Sequence, residues 1–375
     1  LGLAHNQIIN ISPLAGKTNL EVLLLDNNQI KDISPLSGMT GLRDLKLEYN
    51  QIVDISTVSG MTLLTEKNFK IHHNQIIDIS PLTPIIGGWK KLELQYNLID
   101  DLTPLSGMES LVELHLDHNL IDDINPLANL FNLRELYLQQ NQIDNVSPLA
   151  GLIDLRVLRV DQNQIVDVSP LAKLINLTDL RVWSNQITDV SSLNNLTNLT
   201  QLHIARNPIS DISALWNLTN LTYMSINTSQ VDDISVVQYM TSLEELRSYD
   251  AKVSDLSPLT ALTTLRTLNV AGCPLSWESY CSWLPEIEDS NPYLSTIEID
   301  PNPYNCSVPP EETPAGTSVT VTLEDNTYPE TYPVTLTFEE ITESGGTSLI
   351  TSDSGPTPPG GFQLGFHIVF AADHQ

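Results

Sequence analysis

Leu111-Val112-Glu113-Leu114-His115-Leu116-Asp117-His118-Asn119-Leu120-Ile121-Asp122-Asp123-Ile124-Asn125-Pro126-Leu127-Ala128-Asn129-Leu130-Phe131-Asn132 is one unit of a repeat, and the next unit begins at Leu133. Its apolar positions are Leu111, Leu114, Leu116, Ile121, Ile124, Leu127 and Leu130, with Asn119 fixed after the third. That is a 22-residue period of the form Leu-x-x-Leu-x-Leu-x-x-Asn, the leucine-rich-repeat template. A coil of this size cannot bury its own apolar face. Stacked on its neighbours it can, each coil giving one short strand to a parallel sheet.

Outward from this unit, the Asn position recurs at Asn6, Asn28, Asn50, Asn74, Asn97, Asn119, Asn141, Asn163, Asn185 and Asn207, then passes to Ser229, Ala251 and Cys273. This makes thirteen coils, the first incomplete. A buried Asn at the turn can satisfy backbone groups that the bend leaves unpaired. Ala251 cannot, so the end of the array is expected to be looser. Two spacings are irregular, 24 residues from Asn50 to Asn74 and 23 from there to Asn97. The extra residues fit near Thr65–Asn68 and Pro84–Gly88, as bulges in the coil.

The return half reads Asp32-Ile33-Ser34-Pro35-Leu36. Here Ser is expected to cap a short helical turn with Pro at its first position. An Asp precedes that Ser by two residues in most coils, from Asp32 to Asp255, and is read as a turn cap. Cation binding along this ladder is the other reading.

The string Asp-Ile-Ser-Pro-Leu-x-x-Leu-x-x-Leu resembles the 22-residue repeats of the internalins, bacterial surface proteins. It is similar also to the repeats of intracellular phosphatase regulators. The resemblance implies an α/β repeat fold: a leucine-rich-repeat solenoid with a curved parallel sheet, short 3-10 or helical turns on the convex side, and a ligand on the concave side. It also implies a helical cap before the repeats and a β-module after them. Leu1 already falls inside a repeat, so that cap and any signal peptide are expected to lie outside this stretch.

The expected organisation is a solenoid over 1–272, a C-terminal cap over 273–305, a Pro-rich acidic linker over 306–317 and a β-rich module over 318–375. Trp277–Ile287 reads as a short helix and Leu294–Ile299 as a last strand of the cap. In the tail, Val319, Val321 and Leu323 alternate, as do Val334, Leu336 and Phe338. Gly345-Gly346 and Ser354–Gly361 read as turns, and Phe366–Phe370 as a strand. The three cysteines, Cys273, Cys281 and Cys306, allow at most one pair. A Cys281–Cys306 bridge in an exported protein and a set of buried thiols are both open.

The net charge is -29, and no Lys or Arg follows Arg266. Nucleic-acid binding, which needs Lys and Arg against phosphates, is excluded as an expectation. No apolar run is long enough to span a membrane. No catalytic signature, metal motif or cofactor motif appears. A metal site among His72, His73, His115 and His118 is disfavoured, because a whole coil separates the two pairs.

Stacking lets outward positions be read as columns. The middle one runs Leu24, Lys46, Lys70, Glu93, His115, Tyr137, Arg159, Arg181, His203, Ser225, Arg247. Tyr, Trp and Arg dominate interface hot spots. Tyr137, Arg159, Arg181, Trp183, His203 and Arg206, across coils seven to ten, are therefore the expected ligand-binding residues. The expected function is non-enzymatic protein binding at the cell surface or outside the cell, with no cofactor. A carbohydrate-binding surface and a structural spacer are the alternatives.

Overall fold

The computed structural model describes residues 1–304, residue 306 and five strands between 312 and 372. Contacts divide the chain into two compact units, Leu1–Pro274 with Glu286–Asp300, and Leu275–Pro285 with Pro301–Gln375.

The first unit is the leucine-rich-repeat solenoid. Its strands are β1 (Val22–Leu24), β2 (Asp44–Lys46), β3 (Phe69–Lys70), β4 (Lys91–Glu93), β5 (Glu113–His115), β6 (Glu135–Tyr137), β7 (Val157–Arg159), β8 (Asp179–Arg181), β9 (Gln201–His203), β10 (Tyr223–Ser225), β11 (Glu245–Arg247), β12 (Thr267–Asn269) and β13 (Thr296–Glu298). All pairs are parallel. They form one sheet of β1 to β3 and one of β4 to β13, in sequence order. Most of the strands bury their middle residue and leave the two beside it more open. In β5 the Leu114 side chain is fully buried while Glu113 and His115 face outward. Leu111, Leu116, Ile121, Ile124, Leu127 and Leu130 are at most 1% exposed. The apolar template is thus the core.

The Asn ladder stitches coil to coil. Asn119 Nδ2 donates to Leu116 O of its own coil at 3.0 Å and to Leu94 O of the preceding one at 3.1 Å. Its Oδ1 accepts from Ile99 N at 3.1 Å. Asn28, Asn50, Asn74, Asn141, Asn163, Asn185 and Asn207 repeat this set, although Asn141 and Asn163 are only partly buried. Most interior carbonyls therefore accept from two Asn side chains, as Val182 O does from Asn185 and Asn207.

The ladder has two gaps. Asn97 keeps its bond from Ile76 N but donates only within its own coil. Beyond Asn207, Ser229 Oγ reaches only Val231 N, at 3.3 Å. Restoring the amide there should help, because Ile204 O would gain a second donor and Ile209 N an acceptor. Ser229→Asn is expected to raise stability by about 1 kcal/mol, the usual net worth of such bonds. A lower melting temperature for the variant would refute this account.

The residue before the Asn position has a left-handed backbone in twelve coils, from His5 to Asp250, with φ between 52° and 57°. Left-handed non-Gly residues are uncommon and cost roughly 1–2 kcal/mol each. The turn needs them: this kink swings the next residue, Asn, from the outer surface into the core. The flanking hydrogen bonds hold it there.

The return turns correct one expectation. Ser34–Leu36 is a 3-10 turn whose first residue is Ser34, preceded by Ile33, with Pro35 second. Ser makes no cap; the carboxylate does. Asp32 Oδ1 accepts from Ser34 N at 2.8 Å, and Asp54, Asp78, Asp101, Asp123, Asp167, Asp189, Asp211, Asp233 and Asp255 do the same. This is the Asx turn that lets a short acidic side chain mimic a backbone acceptor. Hydrogen bonds from the side chain and then the backbone of Ser34, Thr103 and Ser213 hold Asp32, Asp101 and Asp211 below the usual carboxylate range, and the backbone and then the side chain of Ser191 do so for Asp189.

The irregular spacings fall where the sheet breaks. Pro84–Gly88 is taken up by an extra helical turn, α1 (Thr83–Ile86), with Ile85, Ile86 and Trp89 packed inside. Around Thr65–Asn68 the backbone doubles back, and the Glu66 carboxylate accepts from Lys90 N and from Lys91 N. In the regular coils a backbone carbonyl fills that place, as Lys90 O does for Val112 N and Glu113 N. Side chains also bridge β3 to β4, by a Lys70–Glu93 ion pair and a Phe69–Trp89 ring contact at 6.1 Å.

At the far end β13 pairs with β12. A π-helical turn at Ser279–Trp283 continues into α2 (Leu284–Ser290). Asn291 then secures the return side of the last coil, accepting from Leu265 N at 2.8 Å and donating to Leu262 O at 2.9 Å.

In the second unit Cys281 and Cys306 form a disulfide, their Cα atoms 5.1 Å apart. Cys273 is a buried free thiol. The strands β14 (Glu312–Thr313), β15 (Val319–Leu323), β16 (Val334–Phe338), β17 (Gly345–Ser352) and β18 (His367–Ala372) pair antiparallel, as a hairpin of β15 with β16 and a sheet ordered β14-β17-β18. Gly345-Gly346, expected as a turn, opens β17 instead. Ser354–Gly361 and most of 306–317 lie outside the described residues.

Candidate functional site

The strand register sets Tyr137, Arg159, Arg181 and His203 side by side on the outward face of β6 to β9. The Arg159 guanidinium lies over the Tyr137 ring, 5.2 Å from its centre. Arg159 Nη2 and Arg181 Nε share one carboxylate, Asp179, at 3.3 and 3.2 Å. The Tyr137 hydroxyl donates to Glu135 Oε2 at 2.8 Å. His203 stacks on Tyr223 at 4.3 Å. Trp183 and Arg206 stand apart. Among the described residues Trp183 makes no ring contact, and Arg206, at the left-handed position of its coil, has no carboxylate partner.

Burial sets the electrostatics of this face. It pushes the Tyr137 hydroxyl up to about 12, with Glu135 adding to the effect. Burial, then the Arg181 charge, lowers His203 to about 4, so its ring is neutral. Asp161, 4% exposed, is raised to about 6 by burial, against the pull of Arg181 and Arg159. Among the described residues, Arg159 Nε and His203 Nε2 are buried with no hydrogen-bond partner. Such groups call for water or a ligand.

A second arrangement lies over coils three to six. Tyr49, His73, Tyr96 and His118 occupy the left-handed position of successive coils, and their rings stack in series at 4.0, 4.0 and 3.8 Å. His72 Nδ1 lies 2.8 Å from His73 Nδ1. Burial, then the neighbouring His73, lowers His72 to about 4. Below it, burial opposes but the Lys70 and Lys91 ammonium groups hold Glu93 at about 2. His115 and His118 are each hydrogen-bonded to a carboxylate, Glu113 and Asp117. Among the described residues no three acidic, His or Cys side chains converge to hold a metal, and no helix is long and apolar enough to cross a membrane.

A family model for leucine-rich repeats in two copies matches residues 1–38, 18–60, 131–173 and 175–215. No curated protein matches the sequence. An internalin of Listeria monocytogenes, InlF, superposes with a TM-score of 0.71 at 34% identity, over 80% of this chain and 86% of that one. The chain belongs to the internalin-like leucine-rich-repeat proteins. A leucine-rich-repeat protein of Leptospira interrogans shares the fold, with a TM-score of 0.68 at 21% identity over 79% of this chain and 76% of that one. So does a plant peptide hormone receptor, RGFR1, solved in complex with RGF2, at 0.57 and 19% over 71% and 50%.

The internalin-like fold is that of a protein-interaction module. Repeat counting alone puts the outward columns of this internalin-like chain in register. Side-chain pairing is another matter. The ring ladder needs the left-handed backbone, which turns four residues of one column face to face. Its sequence signal is a column reading Tyr, His, Tyr, His where later coils read Gln, Gln, Ser. Asp161 gives no signal of its own, since the same column holds half-buried and buried polar residues alike.

Proposed function

We propose that this internalin-like chain is an exported, non-enzymatic receptor module that binds a protein across the outward face of β6 to β9. The observation that carries the reading is the pair of arginines sharing Asp179, bordered by Trp183 and Arg206 without partners of their own. The paired charges hold the surface rigid while the unpaired groups wait for contacts, the usual anatomy of a hot spot. Protein is favoured over carbohydrate. The Tyr137 and His203 rings are already covered by Arg159 and Tyr223, which leaves Trp183 as the one open aromatic platform among these six residues. The RGFR1 complex with RGF2 is a precedent for ligand binding on this fold. Export is supported by the Cys281–Cys306 disulfide, since such bonds persist in oxidising compartments.

The test is positional cross-linking. A photoreactive residue replacing Trp183 should capture one protein from the native surroundings, and one replacing the exposed Trp216 on a return turn should not. Adding Arg181→Ala should cut the capture at least tenfold, about 1.4 kcal/mol. Equal capture at both positions would sink the proposal.

A further inference from the structure

The flank that follows each strand has three outward columns: the left-handed residue, the residue after the Asn, and the residue two beyond that. Backbone bonds keep them in register from coil to coil, as Gln75 N to Ile52 O, Leu98 N to Ile76 O and Leu120 N to Ile99 O. In coils seven to nine the first two columns hold Gln140, Gln162, Ser184, Gln142, Gln164 and Gln186. That is the polar surface a solvated flank should have. Coils three to six depart from it.

There the first column is the stacked ladder, the second brings Leu98 and Leu120, and the third brings Val53 and Ile77. Tyr49, Tyr96 and these four aliphatic side chains are each 40% to 48% exposed. The stack cements the ladder rings to one another, worth about 0.5–1.5 kcal/mol a pair. It does nothing for the aliphatic side chains beside them, which face water. A contiguous apolar patch at columns where coils seven and nine hold Gln, Ser, Asp and Thr marks an interaction site.

Charge says what fits. The four segments 49–54, 73–78, 96–101 and 118–123 carry six Asp and no Lys or Arg. All six are exposed, and Asp54, Asp78, Asp101 and Asp123 are fixed in place by their Asx-turn bonds. An acidic partner would be repelled. A partner with an apolar ridge edged by Lys or Arg would be complementary in both respects. We infer that the flank of coils three to six docks a basic amphipathic segment of a protein, apolar side chains on Leu98, Leu120, Val53 and Ile77, cations on the aspartate row. This surface is separate from the outward face of β6 to β9, and either can stand without the other.

The probe is a fluorescent synthetic helix of leucine and lysine, with a leucine and glutamate helix and a lysine-only peptide as controls, read by anisotropy at physiological salt. The variant is Tyr96→Gln with Leu98→Gln and Leu120→Gln. It leaves the net charge unchanged and installs what neighbouring coils carry, so the fold has a template for it. Leu98→Gln with Leu120→Gln, which keeps the ring ladder whole, is the second variant. The wild-type chain should bind the leucine–lysine helix saturably, the triple variant at least tenfold more weakly and the double variant in between. Lysine-only peptide should not distinguish them, and the glutamate helix should not bind. Arg181→Ala should bind the leucine–lysine helix like wild type. Equal affinity for wild type and triple variant overturns the inference. So does a concentration-dependent dimer that the triple variant abolishes and the leucine–lysine helix fails to compete, which would assign the patch to a second copy of the chain.

Discussion

Asn207→Ala should cost about 3 kcal/mol of stability. Asn207 is 3% exposed and ends the ladder. Its Oδ1 accepts from Ile187 N at 3.0 Å, and its Nδ2 donates to Val182 O and Ile204 O, both at 3.0 Å. Val182 O would keep the bond from Asn185. Ile187 N and Ile204 O would be left buried and unpaired, at roughly 1–3 kcal/mol each. In a repeat array the loss falls on the interface between neighbouring coils. Hydrogen exchange should therefore accelerate most in coils nine and ten, and the denaturation midpoint should fall. Asn10→Ala is the control, because Asn10 makes one exposed bond to Ser12 N. A loss below about 1 kcal/mol for Asn207→Ala would remove the ladder as a source of stability.

Asp161→Asn should do the opposite, and only above mildly acidic pH. Burial raises the Asp161 carboxyl to about 6 from an ordinary 3.8. The folded state therefore holds the proton more tightly than the unfolded one. That stabilising contribution is full below about 3.8 and is lost as pH rises through about 6. A rise of that size corresponds to about 3 kcal/mol between protonation states. Asn stays neutral throughout, so the variant should gain about 2 kcal/mol at neutral pH and almost nothing at pH near 4. His72 and His203, both lowered to about 4, act with the other sign. Their contribution is present above about 6.5 and lost as pH falls toward 4. Comparing variant with wild type at each pH cancels them. A gain that is the same at both pH values would exclude titration of Asp161 as its cause.

The fold was legible because the period is written into every coil: Leu114, Leu116 and Asn119 say where inside is. Outward columns follow from the same count, and the places of the extra residues from the 24- and 23-residue spacings. Asp32 makes the turn cap expected of it and Ser34 makes none: both are good acceptors, and only the 3-10 register decides which faces the free N–H. Ring stacking was invisible for a geometric reason. Neighbouring coils bring Tyr96 and His118 within stacking distance only because the backbone at both has left-handed φ. Glu66 replacing a backbone carbonyl depends on how the chain folds around two surplus residues, which no column count contains.

That left-handed column has a consequence for how such a surface can change. Its direction is imposed by the backbone and, in ten of the twelve coils, locked by the Asn beside it, so the side chain it carries is almost a free choice: His, Asn, Tyr, Gln, Ser, Arg, Thr and Asp all occupy it here. Form and lettering are separate, as in a rack of movable type. One residue per coil can be reset without moving the others, and a new text can be composed on an unaltered frame.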